Sequence, residues 1–408
     1  MKNQRDTNIL RDLAKRYAEI AGKAVQEERR ELWRRHNSFE KTRPLVYARE
    51  FLSIPELIEP ELQCHDFLFR QQEKTLRYWI QHDSFEDDYV IEPWLALNAT
   101  HRLGRFERWG LPVKRIASPQ ARGAWKYDPP IKSLEDASGL HRPHHLVDRE
   151  ATARNFVRLQ DAVGDIVPIV VSRAPVYSNN LAEQLADLRG LEQVMWDMTD
   201  NPAWLHELVA FLRDGVLATY EEAQTAQDWQ LIDGTSQSLT YSMELPDPKA
   251  DGRAVDPDQL WCFFNAQEFT LVSPAMHDDF ILQYQIPLMA KFGLVAYGCC
   301  EDLTSKIDML RKIPNLRRIA VTPFADVPKC AEQIGEDYII SWRPSPAEMV
   351  ANTFDPERIR KVVGQAVDAM QGCHFDICLK DVITVRGEAW RIKEWVRITR
   401  EVVEQHAS

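Results

Sequence analysis

From residue 43 onward, short apolar runs alternate with longer stretches whose apolar residues recur at helical spacing, and this alternation constrains the fold more than any other feature. It is the pattern of βα units laid into a parallel sheet. Eight runs read as strands: 43–49, 89–97, 166–172, 261–265, 294–300, 318–322, 338–342 and 375–380, with 230–232 competing for the fourth place. Helical patterns fit between most of them, at 197–227, 274–292, 302–313, 327–335 and 355–371, and a closing helix spans 386–405. Eight such units favour a single closed (β/α)8 TIM barrel over a doubly wound sheet. No glycine-rich phosphate loop follows any strand, and only 16 of 408 residues are glycine, so a nucleotide-binding fold loses ground.

Ahead of the first strand, Leu10, Leu13, Tyr17, Ile20 and Ala24 fall on one helical face, which predicts an amphipathic helix over 6–36. Its charge run, Glu27 to Glu31, reads as a solvated surface. The expected organisation is a helical extension over 1–42 and a barrel over 43–408. Apolar residues make up 44 %, enough for a large core. A net charge of −12 argues against nucleic-acid partners, which need a basic footprint. No apolar stretch is long enough to span a bilayer, and the first residues lack an apolar signal core. Seven cysteines, an odd and mostly dispersed set, suit the reducing cytoplasm.

Two connections are long, 98–165 and 233–259, and both follow strands, so in a barrel both are expected to cap the catalytic mouth. The first holds His141, His144 and His145. A histidine cluster suits metal or proton transfer, but a proline divides it, and a solvated loop is the preferred reading.

In a barrel, chemistry gathers where strands end. That rule selects Tyr47, Arg49 and Glu50 after the first strand, with Glu92 a weaker choice in the second. It selects Asn265, Gln267 and Glu268 after the fourth, Cys299, Cys300 and Glu301 after the fifth, and Asp326 after the sixth. Arg343 follows the seventh strand, and Lys380 and Asp381 end the eighth. Two thiols and a carboxylate at one strand's exit suit a soft metal or nucleophilic attack. The plain alternative is a pair of small buried hydrophobes. The guanidinium of Arg343 suits an anionic substrate or an ordinary ion pair. The same rule demotes Cys373 and His374, which open the last strand and belong at the opposite end. Cys378 reads as core, and Cys64, Cys262 and Cys330 as packing.

The stretch Ser273-Pro274 to Phe280, with Pro287 following, resembles the uroporphyrinogen decarboxylase superfamily, as does the entry Arg43-Pro44. Tyr297-Gly298-Cys299-Cys300-Glu301, the run 314–318 and Lys380-Asp381 resemble its corrinoid-dependent methyltransferase branch. The resemblance implies a TIM barrel. It also implies methyl transfer involving a corrinoid carrier protein and a zinc ion held by a His-x-Cys on the fifth strand and a Cys after the eighth. Cys299 matches the first cysteine. Tyr297 stands where the histidine belongs, and Lys380 and Asp381 stand where the last cysteine belongs. A zinc site then needs Cys300, Glu301 or Asp381 as substitutes. The decarboxylases' extended arginine motif is reduced to Arg43-Pro44 and Arg49.

The leading expectation is therefore a methyltransferase moving a methyl group between a small methylated substrate and a corrinoid carrier. Cys299, Cys300 and Glu301 would hold zinc or activate the acceptor, and Lys380, Asp381 and Glu301 would act in catalysis. Tyr47, Arg49, Glu268, Tyr297 and Arg343 would line the substrate pocket. The alternatives are a metal-independent decarboxylase or lyase of a small aromatic or pyrrolic acid, with Arg49 and Arg343 on carboxylates, and a non-catalytic metabolite-binding barrel.

Overall fold

All eight apolar runs contain strands, but they do not close. The computed structural model describes residues 2–49, 54–104, 106–120, 124, 126–175, 180–351 and 353–406. Its strands are β1 (Leu45–Arg49), β2 (Leu95–Asn98), β3 (Lys114–Ile116), β4 (Lys126–Asp128), β5 (Ile169–Ser172), β6 (Trp261–Phe264), β7 (Leu294–Tyr297), β8 (Leu316–Val321), β9 (Ile339–Trp342) and β10 (Phe375–Lys380). Six form one open parallel sheet in the order β1-β10-β9-β8-β7-β6. Among the described residues β2 and β5 pair in parallel with each other only, and β3 and β4 make a small antiparallel hairpin in the first long insert.

The expectation of a closed eight-stranded barrel is thus corrected, and the free edge of β1 shows why. An outer strand must satisfy its outward N–H groups. On β1 the amides of Val46 and Ala48 donate to the carboxylates of Asp88 and Asp87, each at 2.8 Å, and Val46 O accepts from the amide of Asp88 (2.9 Å). An acidic turn therefore occupies the place of a neighbouring strand. Arg43 braces that turn with two bonds to Asp88 (2.8 and 2.7 Å). The first half of the 89–97 run is used otherwise: Arg29 donates to Tyr89 O (3.1 Å), and the amide of Ile91 donates to Gln26 (2.9 Å). At the far edge, Trp261 O accepts from the amide of Thr235 (3.2 Å) in an irregular segment.

Alternation along the strands gives the sheet two faces. Val46, Ile377, Leu379, Ile340, Ile319, Val321, Val295, Tyr297 and Phe264 join the main core with the surrounding helices. Leu45, Tyr47 and Cys378 point to the other, inner face, where they meet Trp33, Leu239 and Tyr241. Trp33 belongs to the second of two helices, α1 (Lys2–Ala21) and α2 (Ala24–Asn37), which replace the single helix expected over 6–36.

The lower end of the inner face is polar. Arg318 of β8 bonds Asp376 of β10 and donates to Asn37 Oδ1 (2.8 Å), while His36 Nε2 lies 3.2 Å from Asp376 Oδ2. Burial works against the Asp376 carboxylate, but Arg318 and His36 hold its pKa below the usual value. The second long insert does not form a simple cap. Gln237 O accepts from Arg49 (2.9 Å) and Tyr47 (3.4 Å), and Leu239 O and Tyr241 O accept from Asn37 (2.9 and 2.7 Å), so the segment threads the inner face. The first insert is tied to helices at its side. His145 Nε2 is 2.7 Å from Asp228, which also bonds Arg149 (2.7 Å), and His144 pairs with Glu222 (2.8 Å). Among the described residues no helix is long and apolar enough to cross a membrane.

Candidate functional site

β7 ends at Tyr297, and Gly298 then adopts φ +101°. A side chain there is excluded by space as well as by conformation: a Cβ would lie 2.7 Å from Leu303 Cδ1 and 3.0 Å from the Cβ of Ala320. This turn ends the strict alternation of the strand. As a result the sulfurs of Cys299 and Cys300 meet at 3.6 Å instead of pointing to opposite faces. The backbone is clamped around them. Glu301, only 1 % exposed, accepts from the amides of Cys299 (2.7 Å) and Ala266 (3.0 Å). Arg343, also buried, donates to the carbonyls of Gly298 (3.3 Å) and Cys299.

From the end of β10, Lys380 brings Nζ to 3.6 Å from the sulfur of Cys299 and 3.3 Å from Asp381. Asp381 adopts φ +60° and accepts from the thiol of Cys300 at 3.9 Å. Gln237, at φ +57° in the threading insert, places Nε2 3.6 Å from Cys299 Sγ. The Cys299 thiol is lowered to about 6. The hydrogen bond from Cys300 is the largest cause. Burial opposes it, and the charges of Lys380 and Arg343 and the Gln237 amide assist it. Cys300 is pushed the other way, first by its hydrogen bond with Cys299 and then by burial. The pair therefore holds one proton near neutral pH, with Cys299 the thiolate and exposed Cys300 its donor.

The structure thus unites Cys299, Cys300, Lys380, Asp381, Arg343 and, through Gln237, Tyr47 and Arg49. Glu301 is there too, but both its oxygens serve backbone amides. Tyr297 and Glu268 are elsewhere. Tyr297 lies in the core behind the sheet, donating to Gln285 (3.2 Å) with its hydroxyl 3.1 Å from His277, and burial raises its pKa. Glu268 accepts from Asn180 (3.0 Å) and borders a separate cavity of about 310 Å³ beside Tyr127 and Glu183. Asp326 caps the helix Val327–Ile334. Glu92 bonds Tyr241 (2.6 Å) and Arg30 (3.3 Å) away from the thiols, and Glu50 lies outside the described residues. Cys373 and His374 border a different cavity, of about 590 Å³, before the start of β10 and so at the opposite end of that strand from Lys380. Sequence reasoning missed Gln237; only its place in an insert that follows a strand pointed towards the site.

The zinc expectation is corrected by the donors themselves. Among the described residues no group of three or more His, Cys, Asp or Glu side chains is arranged to hold a metal ion. Glu301 is spent on amides, and an ammonium already supplies the positive charge beside Cys299.

No family model matches the sequence, and no curated protein matches it. Among solved structures, the chain is similar to a methyltransferase from Methanosarcina mazei, with a TM-score of 0.55 and 13 % identity, over 91 % of this chain and 97 % of that one. At that identity the likeness is one of fold.

Proposed function

We propose that the chain is an enzyme of methyl transfer in which the Cys299 thiolate is the nucleophile, related to the methyltransferase branch of the uroporphyrinogen decarboxylase superfamily. The observation that carries the reading is geometric: the Cys299 sulfur has the Lys380 ammonium at 3.6 Å and the Cys300 sulfur at 3.6 Å, neighbours that both lower its pKa. The likeness in fold to a methyltransferase supports the reaction class. A thiolate is a strong nucleophile towards carbon, and the neighbouring ammonium favours that form of Cys299 over the neutral thiol.

In this reading the sulfur attacks the methyl carbon of a small methylated substrate. A C–S bond forms, the bond to the leaving group breaks, and the leaving group departs with the electron pair. Lys380 stands ready to protonate it, with Asp381 orienting the ammonium. A corrinoid carrier protein is the further methyl donor or acceptor that the resemblance suggests. Within this chain, the residues supply the nucleophile and its charge environment. The rival lyase reading asks Arg49 and Arg343 to clamp carboxylates, but each donates to backbone carbonyls instead.

The test is incubation with methyl-labelled methylcob(III)alamin and peptide mapping. Label is expected on Cys299, lost in Cys299→Ser and retained in Cys300→Ser. Unlabelled Cys299, or label that persists elsewhere in Cys299→Ser, overturns the reading.

A further inference from the structure

The two sulfurs support chemistry that a lone nucleophile does not. They lie 3.6 Å apart, and Cys299 faces Lys380 while Cys300 is exposed. The other cysteines differ: Cys64, Cys262, Cys330 and Cys378 are buried, Cys373 is half-buried against Ala331 O, and burial pushes all five thiols up.

We propose that Cys299-Cys300 is an oxidative modification site, a vicinal dithiol that hydroperoxides convert to a disulfide, with Cys299 attacking and Cys300 resolving. In the first step the Cys299 thiolate attacks the near oxygen of the hydroperoxide. An S–O bond forms, the O–O bond breaks, and sulfur loses two electrons. The departing oxyanion takes a proton from the Lys380 ammonium, which regains one from solvent. In the second step the Cys300 sulfur attacks Cys299. The S–S bond forms, the S–O bond breaks, and hydroxide leaves with the thiol proton as water. Asp381, 3.9 Å from the Cys300 sulfur, lies where that proton departs.

Closure brings the sulfurs from 3.6 Å to a bond of about 2 Å. The Cys299 backbone is held by Glu301 and Arg343, so the movement falls on exposed Cys300. Because the same sulfur receives the methyl group in the proposed function, oxidation and methyl transfer exclude each other, and this consequence alone rests on that reading.

The experiment uses the full chain, one equivalent of hydrogen peroxide and no methyl donor. Two of the seven thiols should be lost, with a mass decrease of about 2 Da on the peptide carrying residues 299 and 300 and recovery in dithiothreitol. Cys300→Ala should lose one thiol and carry a dimedone adduct on Cys299. Cys299→Ser should keep its thiols at the same dose. Loss spread over the other cysteines, two thiols lost in Cys300→Ala, or sulfinic acid without a disulfide overturns the proposal. Methyl label on Cys299 without oxidation would sink this inference alone, and a disulfide without methyl label would sink only the transfer reading.

Discussion

Replacing Lys380 by methionine removes the nearest full charge from the Cys299 thiolate while keeping the length of the side chain. Two unit charges 3.6 Å apart interact by about 1 kcal/mol in bulk water and about 4–5 kcal/mol at an effective dielectric constant of about 20. At about 1.4 kcal/mol per pKa unit, these limits correspond to roughly 1 and 3 units. The sulfur is partly covered but lies at the open end of the sheet, so a rise of about 1–2 units is expected. Loss of a cation beside an anion raises the pKa, so the thiol should move from about 6 towards the range of about 7–8. Thiolate at pH 7 would fall from about 90 % to roughly 10–50 %. The assay is iodoacetamide alkylation of Cys299, resolved by peptide, across pH 4.5–9.5. Lys380→Arg should keep the midpoint near that of the parent. A Lys380→Met midpoint within about 0.3 units of the parent would refute the reasoning, leaving the Cys300 hydrogen bond as sufficient by itself.

Gly298→Ala should cost about 1–3 kcal/mol in chemical denaturation and slow alkylation of Cys299, because a Cβ at φ +101° meets Leu303 and Ala320. Unchanged stability would mean that the turn relaxes freely. Arg318→Met leaves the buried Asp376 carboxylate short of its cation and should cost about 3–5 kcal/mol while the alkylation profile of Cys299 stays unchanged. A shifted profile would show that the lower polar layer and the thiol site are coupled. Burial pushes Glu92 up to about 7, so its stabilising contribution is present below its unfolded value near 4.5 and is lost as pH rises through 7, by up to about 3 kcal/mol. Glu92→Gln should flatten stability across that window, and an equally steep profile in the variant would assign the slope to another group.

Much of the site was legible because strand direction is. A parallel sheet sends every strand's C-terminal end to one edge, so residues after the runs at 294 and 375 had to converge, and Cys299, Cys300, Lys380 and Asp381 do. Strand direction did not bear on Tyr297, which the resemblance alone placed beside Cys299 where a histidine belongs. The left-handed turn at Gly298 separates the two and leaves Tyr297 against His277 and Gln285. Glu301 read as a ligand or proton carrier by its chemistry, whereas its burial and two amide partners make it a backbone clamp. Gln237 was invisible for the opposite reason: nothing in an irregular insert signals which strand it will cross.

The sequence by itself determined where the strands of the main sheet lie and which reactive side chains leave their ends, since both follow from local apolar period and chain direction, whereas the small β3–β4 hairpin lay outside every apolar run. Whether those strands close was a tertiary decision, taken where Asp87 and Asp88 occupy the amides of β1 that another strand would have used. The identity of the thiolate was tertiary too. Two adjacent cysteines differ little as a sequence, and their inequality arises because one sulfur is half-buried beside Lys380, Gln237 and Arg343 while the other is exposed beside Asp381.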